Sequence, residues 1–373
     1  MTRTEKLLAE LIALPSVNPA FLPARHPYAG EKRIADFLVS VAARAGLAVE
    51  LQKVLPGRFN VIARLRPRQK VRRTILLAPH LDTVGADGTR FIPQRRNGRL
   101  HGRGACDTKG SVAAMLGALC ELVKSPPDET EIIFAGLVDE EHAQAGSRAL
   151  AASGFKADLA IVGEPTRLQV VTAHKGSLWL QRETRGKAAH GATPQLGRNA
   201  VHEMARIVDL LETDYAAGLR KRKHPLLGTG TVNVGLICGG VQPNIVPDHC
   251  TITIDRRTLP GETEAGVRRE IAMRLRAQKL SARISSLKLA PCIPLETNPK
   301  RPLVRHFLRS VGQARPRGVD FFCDAAVLAA GGIPSVVFGP GDIAQAHTAD
   351  EWISLAELER GKDLILHFLK SLP

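Results

Sequence analysis

The sequence predicts an α/β protein: a discontinuous domain built on a mostly parallel sheet flanked by helices, with a small α+β domain inserted into it. Three observations predict it. Apolar strand-like runs alternate with helical patterns through residues 1–173 and again through 290–373. Between them, residues 174–289 switch to strands of alternating polarity and long amphipathic helices. At 373 residues, the chain also exceeds the size at which one hydrophobic core usually stops growing.

The elements follow in order. Residues 3–14 space Leu and Ile as a helix does, and Pro15 stops the pattern. Residues 31–45 (EKRIADFLVSVAARA) form a second amphipathic helix, closed by Gly46 where a left-handed residue is favoured. "FNVIARL" and "RTILLAPH" read as strands, 108–124 as a buried helix, and "TEIIFAGLVDEE" as a strand. "SRALAAS" is a short helix and "ADLAIVGEPT" a further strand. In the insert, "SLWLQRETRGK", "GTVNVGLICGG" and "CTITIDRRTL" alternate as half-exposed strands, while 199–217 and 262–278 are amphipathic helices. From about 290 the first style returns, with "FFCDAAVLAAGG" as a helix, "IPSVVFGPG" as strand and turn, and a last helix over 354–371.

Composition narrows the class. Hydrophobic residues are 44% and charged ones 24%, ordinary for a soluble globular protein. The opening MTRTEKLLAELIAL lacks the features of a secretory signal, and no apolar run approaches the ~18 residues of a membrane span. Six cysteines (106, 120, 238, 250, 292, 323) occur without a CxxC pair, so a reduced cytoplasmic protein is expected. The net charge of +16 is spread along the chain. Its densest pieces, "RLRPRQKVRR" and "LRKRKH", carry no interleaved aromatics for base stacking, so no nucleic-acid role is expected.

Ligands of open α/β sheets sit at the carboxyl ends of strands, and polar residues collect there in this sequence. His80 and Asp82 end the run "LLAPHLDTV"; Asp107 lies in the glycine-rich turn "GRGACDTKG". Glu140 and Glu141 follow one strand, Glu164 another, and His347 comes shortly after "SVVFGPG". Each has an ordinary explanation alone: a surface histidine, a solvated helix start, an N-cap. Together, two histidines and three carboxylates make a mixed nitrogen and oxygen set suited to zinc or a similar divalent ion. A shared carboxylate can hold two such ions ~3.5–4 Å apart.

At this point the sequence resembles the M20 family of metallo-aminoacylases and peptidases, the group of acetylornithine deacetylase and succinyl-diaminopimelate desuccinylase. The motifs run nearly end to end: "ELIALPSVNP", "PHLDTV", "GRGACDTKG", "DEE", "GEPT", "GGVQPNIVPD", "DRRTLPG" and "FGPGDIAQAHTADE". The resemblance implies two zinc ions per subunit, with cobalt or manganese able to substitute. His80, Asp107 and Glu164 would hold one ion; Asp107, Glu141 and His347 would hold the other, with Asp107 bridging. It implies that Asp82 orients His80, and that Glu140 is the general base and not a ligand.

For the insert the resemblance implies a lid and dimerisation domain. His190, in "GKAAHGATP", matches the lid histidine that in dimeric relatives enters the partner's site and stabilises the oxyanion. Asn244 matches a lid residue near the substrate, and Arg257, not Arg256, matches the arginine that clamps the substrate carboxylate. Gly339 and Gly341 would line the pocket. Pro79, Leu81 and Thr108 depart from residues common at those places, and Asp324 is the counterpart of a Thr-Asp or Thr-Glu motif. The expected activity is cleavage of the amide of an N-acyl amino acid, acetylornithine deacetylase-like, by a homodimer. Alternatives on the same site are succinyl-diaminopimelate desuccinylase and an M20 dipeptidase or carboxypeptidase acting on a short peptide.

Overall fold

The computed structural model describes residues 1–287 and 290–373. In chain order its main elements are α1 (Arg3–Ile12), α2 (Lys32–Arg44), β1 (Ala48–Leu55), β2 (Arg58–Leu65), β3 (Arg73–Pro79), α3 (Lys109–Leu122), β4 (Thr130–Gly136), α4 (Ala145–Ala152) and β5 (Leu159–Gly163). Then come β6 (Gly176–Arg185), α5 (Ala200–Leu210), β7 (Thr231–Gly239), β8 (His249–Thr258), α6 (Glu264–Ala277) and β9 (Arg283–Ser286). The chain closes with α7 (Pro302–Ser310), α8 (Asp324–Ala330), β10 (Ser335–Val337) and α9 (Leu355–Lys370).

Two compact units result. One comprises Met1–Thr172, Thr297–Arg317 and Cys323–Pro373; the other comprises Ala173–Glu296 and Gly318–Phe322. The boundary expected at 289/290 adjoins residues 288 and 289, which lie outside those described, and the larger unit resumes at Thr297. The fold class is the expected one, α/β with a large, mostly parallel sheet flanked by helices.

In the larger unit the sheet runs β1-β2-β4-β3-β5-β10. β4, β3, β5 and β10 are mutually parallel, while β1 and β2 join antiparallel at one side. Parallel strands are covered on both faces, which is why β3 and β5 read as unbroken apolar runs. α3 packs beside α1 and α9, and its Val112, Met115, Leu116 and Leu119 are fully buried. Each such side chain contributes about 1.5–3 kcal/mol of burial. α1 starts with a capping box, in which Thr2 accepts the Glu5 amide at 3.1 Å and Glu5 accepts the Thr2 amide at 3.3 Å. The consequence for function is geometric. Because β3, β4, β5 and β10 run the same way, the loops leaving them emerge on one edge.

The smaller unit is a four-stranded antiparallel sheet, β7-β8-β6-β9, with Leu180, Ile252 and Ile254 packed against Met204, Ile207 and Ile271. The helix expected over 199–217 ends as α5 at Leu210, widens into a π turn at Leu211–Tyr215, and resumes over Ala216–Arg220. The Tyr215 hydroxyl there accepts Nε of the fully buried Arg256 at 3.0 Å. α7 was not anticipated, although Pro302 in its first turn and the apolar Leu303, Val304, Phe307 and Leu308 mark it as an amphipathic helix. Among the described residues no disulfide joins two of the six cysteines. Among the described residues no helix is long and apolar enough to cross a membrane.

Candidate metal centre

Four of the site segments leave the sheet at that common edge. His80 is the first residue past β3, Glu140 and Glu141 follow β4, and Glu164 is the first residue past β5. His347 is reached by a longer loop after β10, and Asp107 precedes α3 in a turn. Gly104 of that turn has φ +81, and a Cβ there would strike Lys109 and Thr83, both at 2.9 Å. Only glycine fits.

The Asp107 carboxylate is shared. Its Oδ1 lies 3.0 Å from Nε2 of His80, and its Oδ2 lies 3.3 Å from Nε2 of His347. On the first side, Glu164 Oε1 stands 4.0 Å from the same His80 nitrogen. On the second, Glu141 Oε2 stands 3.1 Å from the His347 nitrogen. His80, Asp107 and Glu141 also each offer a ligand atom within 4.8 Å of the others, so the two halves of the cluster adjoin. All five expected ligands are therefore brought together.

Asp82 braces this arrangement. Nδ1 of His80 lies 3.0 Å from the Asp82 main-chain oxygen and 3.5 Å from its carboxylate. A proton donated from Nδ1 leaves the lone pair of Nε2, the nitrogen facing Asp107 and Glu164, free to meet a cation. The Asp82 carboxylate meanwhile accepts the amides of Glu140 at 3.0 Å and Glu141 at 3.1 Å. It therefore ties the β3 loop to the β4 loop. Asn18, missed in the sequence although it lies inside "SVNP", donates to Asp82 at 2.7 Å and to Asp139 at 3.0 Å. Arg58 also holds Asp139, at 2.8 Å, and that residue sits in the left-handed region with φ 71.

The electrostatics describe a pocket short of positive charge. Burial, then the charge of Glu164, lifts the Glu140 carboxyl well above its ordinary range. Burial also raises Glu164 well above that range and raises Glu141. For Asp107, burial is outweighed by hydrogen bonds from His347 and His80, which hold it below the usual carboxylate range. The partly exposed His347 ring is pushed up to about 10 by Asp107 and then Glu141. Asp324 is buried, accepts the Ser147 hydroxyl at 2.5 Å, and is pushed up to about 6 by burial. So many buried carboxylates are stable as anions only beside cations, and two imidazoles supply too little charge unless protonated. The donor set fits divalent ions of the zinc type.

The remaining expected residues are placed as follows. Gly341 has φ +96, and a Cβ there would meet the Cys106 sulfur at 2.6 Å; one on Gly339 would meet the Glu164 carbonyl at 2.6 Å. Both glycines are required by close packing around the site. Thr108 donates its hydroxyl to the Gly163 carbonyl at 2.8 Å. In the smaller unit, His190 and Asn244 share one surface: His190 bridges to Ile245, and the Gly191 amide donates to the Asn244 carbonyl at 2.7 Å. Both are exposed. Arg257 is partly exposed and pairs with Asp255 at 3.0 Å, whereas Arg256 is consumed by Tyr215 and Glu262.

Comparison with known proteins bears on this geometry. Residues 76–371 match the family described as Peptidase family M20/M25/M40. An acetylornithine deacetylase of Myxococcus xanthus is 32% identical over 348 residues, covering 87% of this chain and 88% of the relative. One from Proteus mirabilis is 31% identical over 373 residues, covering 96% and 94%. Among solved structures, aminopeptidase PepT of Bacillus cereus superposes with a TM-score of 0.80 at 24% identity, covering 99% of this chain and 97% of the other. An M20 family metallo-carboxypeptidase of Sulfolobus solfataricus gives 0.79 at 20% identity, covering 99% of each.

Proposed function

The chain belongs to peptidase family M20/M25/M40, and from that membership we propose that it is a zinc-dependent deacylase cleaving the amide of N-acyl amino acids. One observation carries the reading: the two oxygens of Asp107 face different histidines, each with its own further carboxylate. His80, Asp107 and Glu164 would hold one ion, and Asp107, Glu141 and His347 the second. Bound there, the ions supply Lewis acidity, polarising the amide carbonyl and making water acidic enough to be deprotonated near neutral pH.

The chain's own residues do the rest. Glu140 is no ligand in this scheme. Its amide is pinned by Asp82, and its carboxyl titrates high, which suits a group that takes a proton from the attacking water and gives it to the departing amine. His190 would donate to the developing oxyanion, with Asn244 beside it. Arg257 would clamp the substrate carboxylate through its fork of N–H groups.

Within the family, the acetylornithine-deacetylase type is favoured by relatives of that name matching most of both chains at 31–32% identity. Turnover of N-acetylornithine, N-succinyl-diaminopimelate, N-acetylmethionine and a dipeptide, each with added zinc or cobalt, tests this. N-acetylornithine should give the highest kcat/KM. A dominant dipeptide or succinyl substrate would move the assignment to that branch, and no turnover of any of them would defeat it.

A further inference from the structure

Glu351 lies four residues beyond His347 in "AHTADEW" and is not among the ligands. It is 3% exposed, yet both carboxylate oxygens are filled, all from one loop. Oε1 accepts the amides of Cys106 at 2.8 Å and Asp107 at 2.9 Å. Oε2 accepts the Gly104 amide at 2.8 Å and Nη1 of Arg103 at 2.8 Å. Arg103 donates onward through Nη2 to the Thr348 carbonyl at 3.1 Å, and the Gly102 amide meets the Glu351 carbonyl at 3.1 Å. The turn carrying Asp107 and the segment carrying His347 are thus stitched together through side chains and backbone.

An ordinary loop brace would add stability and nothing more. This brace grips the amide of Asp107 itself and sits on the same short segment as His347, whose backbone is held in the left-handed region at φ 62. Such a conformation persists in a non-glycine residue only where the surroundings enforce it. We propose that Glu351 is a positioning residue that sets the separation of Asp107 and His347, and thereby the affinity of the cation position those two share. This rests on the reading of the cluster as a metal centre.

A glutamine at 351 isolates the effect. Its amide nitrogen must point at N–H donors on one side or the other, so one half of the clamp opens while volume is conserved. Arg103→Lys weakens the same clamp from the opposite end, because an ammonium cannot bridge the Glu351 carboxylate and the Thr348 carbonyl as the guanidinium fork does. Leu358→Ala, on the buried face of α9, is the control for lost stability alone.

The experiment is a cobalt(II) titration of chelator-stripped wild type and the three variants, followed by visible absorption alongside thermal melting. Wild type is expected to take up two cobalt ions. Glu351→Gln should bind one of them at least tenfold more weakly with an altered spectrum, and Arg103→Lys should shift the same ion, reporting even where Glu351→Gln does not fold. Leu358→Ala should melt lower but keep wild-type cobalt affinity and spectrum. Clamp variants that melt lower yet bind cobalt as wild type does would reduce Glu351 to a structural brace and overturn the inference alone. A wild type that takes up no cobalt would overturn the metal reading, and the inference with it.

Discussion

Nε2 of His347 stands 3.3 Å from Oδ2 of Asp107, while the other oxygen of that carboxylate faces His80 at 3.0 Å. One small side chain thus joins two half-sites contributed by distant parts of the sequence.

Glu140→Gln should lower kcat by about 10²–10⁴-fold, the usual range for removing a general base. Metal content, measured by elemental mass spectrometry, should stay at the wild-type value. Loss of metal would mean that Glu140 is a ligand.

The metal-free protein should lose stability on the alkaline side. His347 is raised from 6.5 to about 10 by Asp107 and Glu141. Its contribution is fully present below the unfolded value near 6.5 and disappears as pH rises through about 10. Metal must displace that proton, so apparent metal affinity should rise with pH across the same window. Calorimetric melting and metal titration at pH 7 and 9 test both; a pH-independent affinity would remove His347 from the ligand set.

Adjacent arginines should behave oppositely. Arg256 is fully buried and paired with Glu262 at 2.7 Å, so Arg256→Ala should cost about 3–5 kcal/mol in denaturant unfolding. Arg257→Ala should leave stability near wild type and raise KM for a substrate bearing a carboxylate. A changed kcat with unchanged KM would contradict the clamp.

The family resemblance implies homodimerisation through the smaller unit, and we propose β7 as the seam. It is the outer strand of its sheet, with Leu236 68% and Ile237 58% exposed. Leu236→Glu should shift the sedimentation profile from dimer to monomer. A wild type already monomeric would refute the expectation.

Much of this was legible in the sequence because strand ends are local signals. "TILLAP" followed by His80 and "LAIV" followed by Glu164 each announce a side chain at the sheet edge, and a parallel sheet puts those edges together. The supporting contacts were not legible. Nothing near Asp82 says that its carboxylate accepts the amides of Glu140 and Glu141, and nothing near Glu351 says that it grips residues 104–107. These are tertiary hydrogen bonds between segments far apart in the chain, without periodicity to betray them. α7 is a different case, since its pattern was present but short.

Counting zinc per chain in wild type, His80→Ala, His347→Ala and Asp107→Ala tests the shared carboxylate most directly. The expected counts are two ions, one, one and none. An Asp107→Ala protein that still holds two ions, or loses only one, would contradict it.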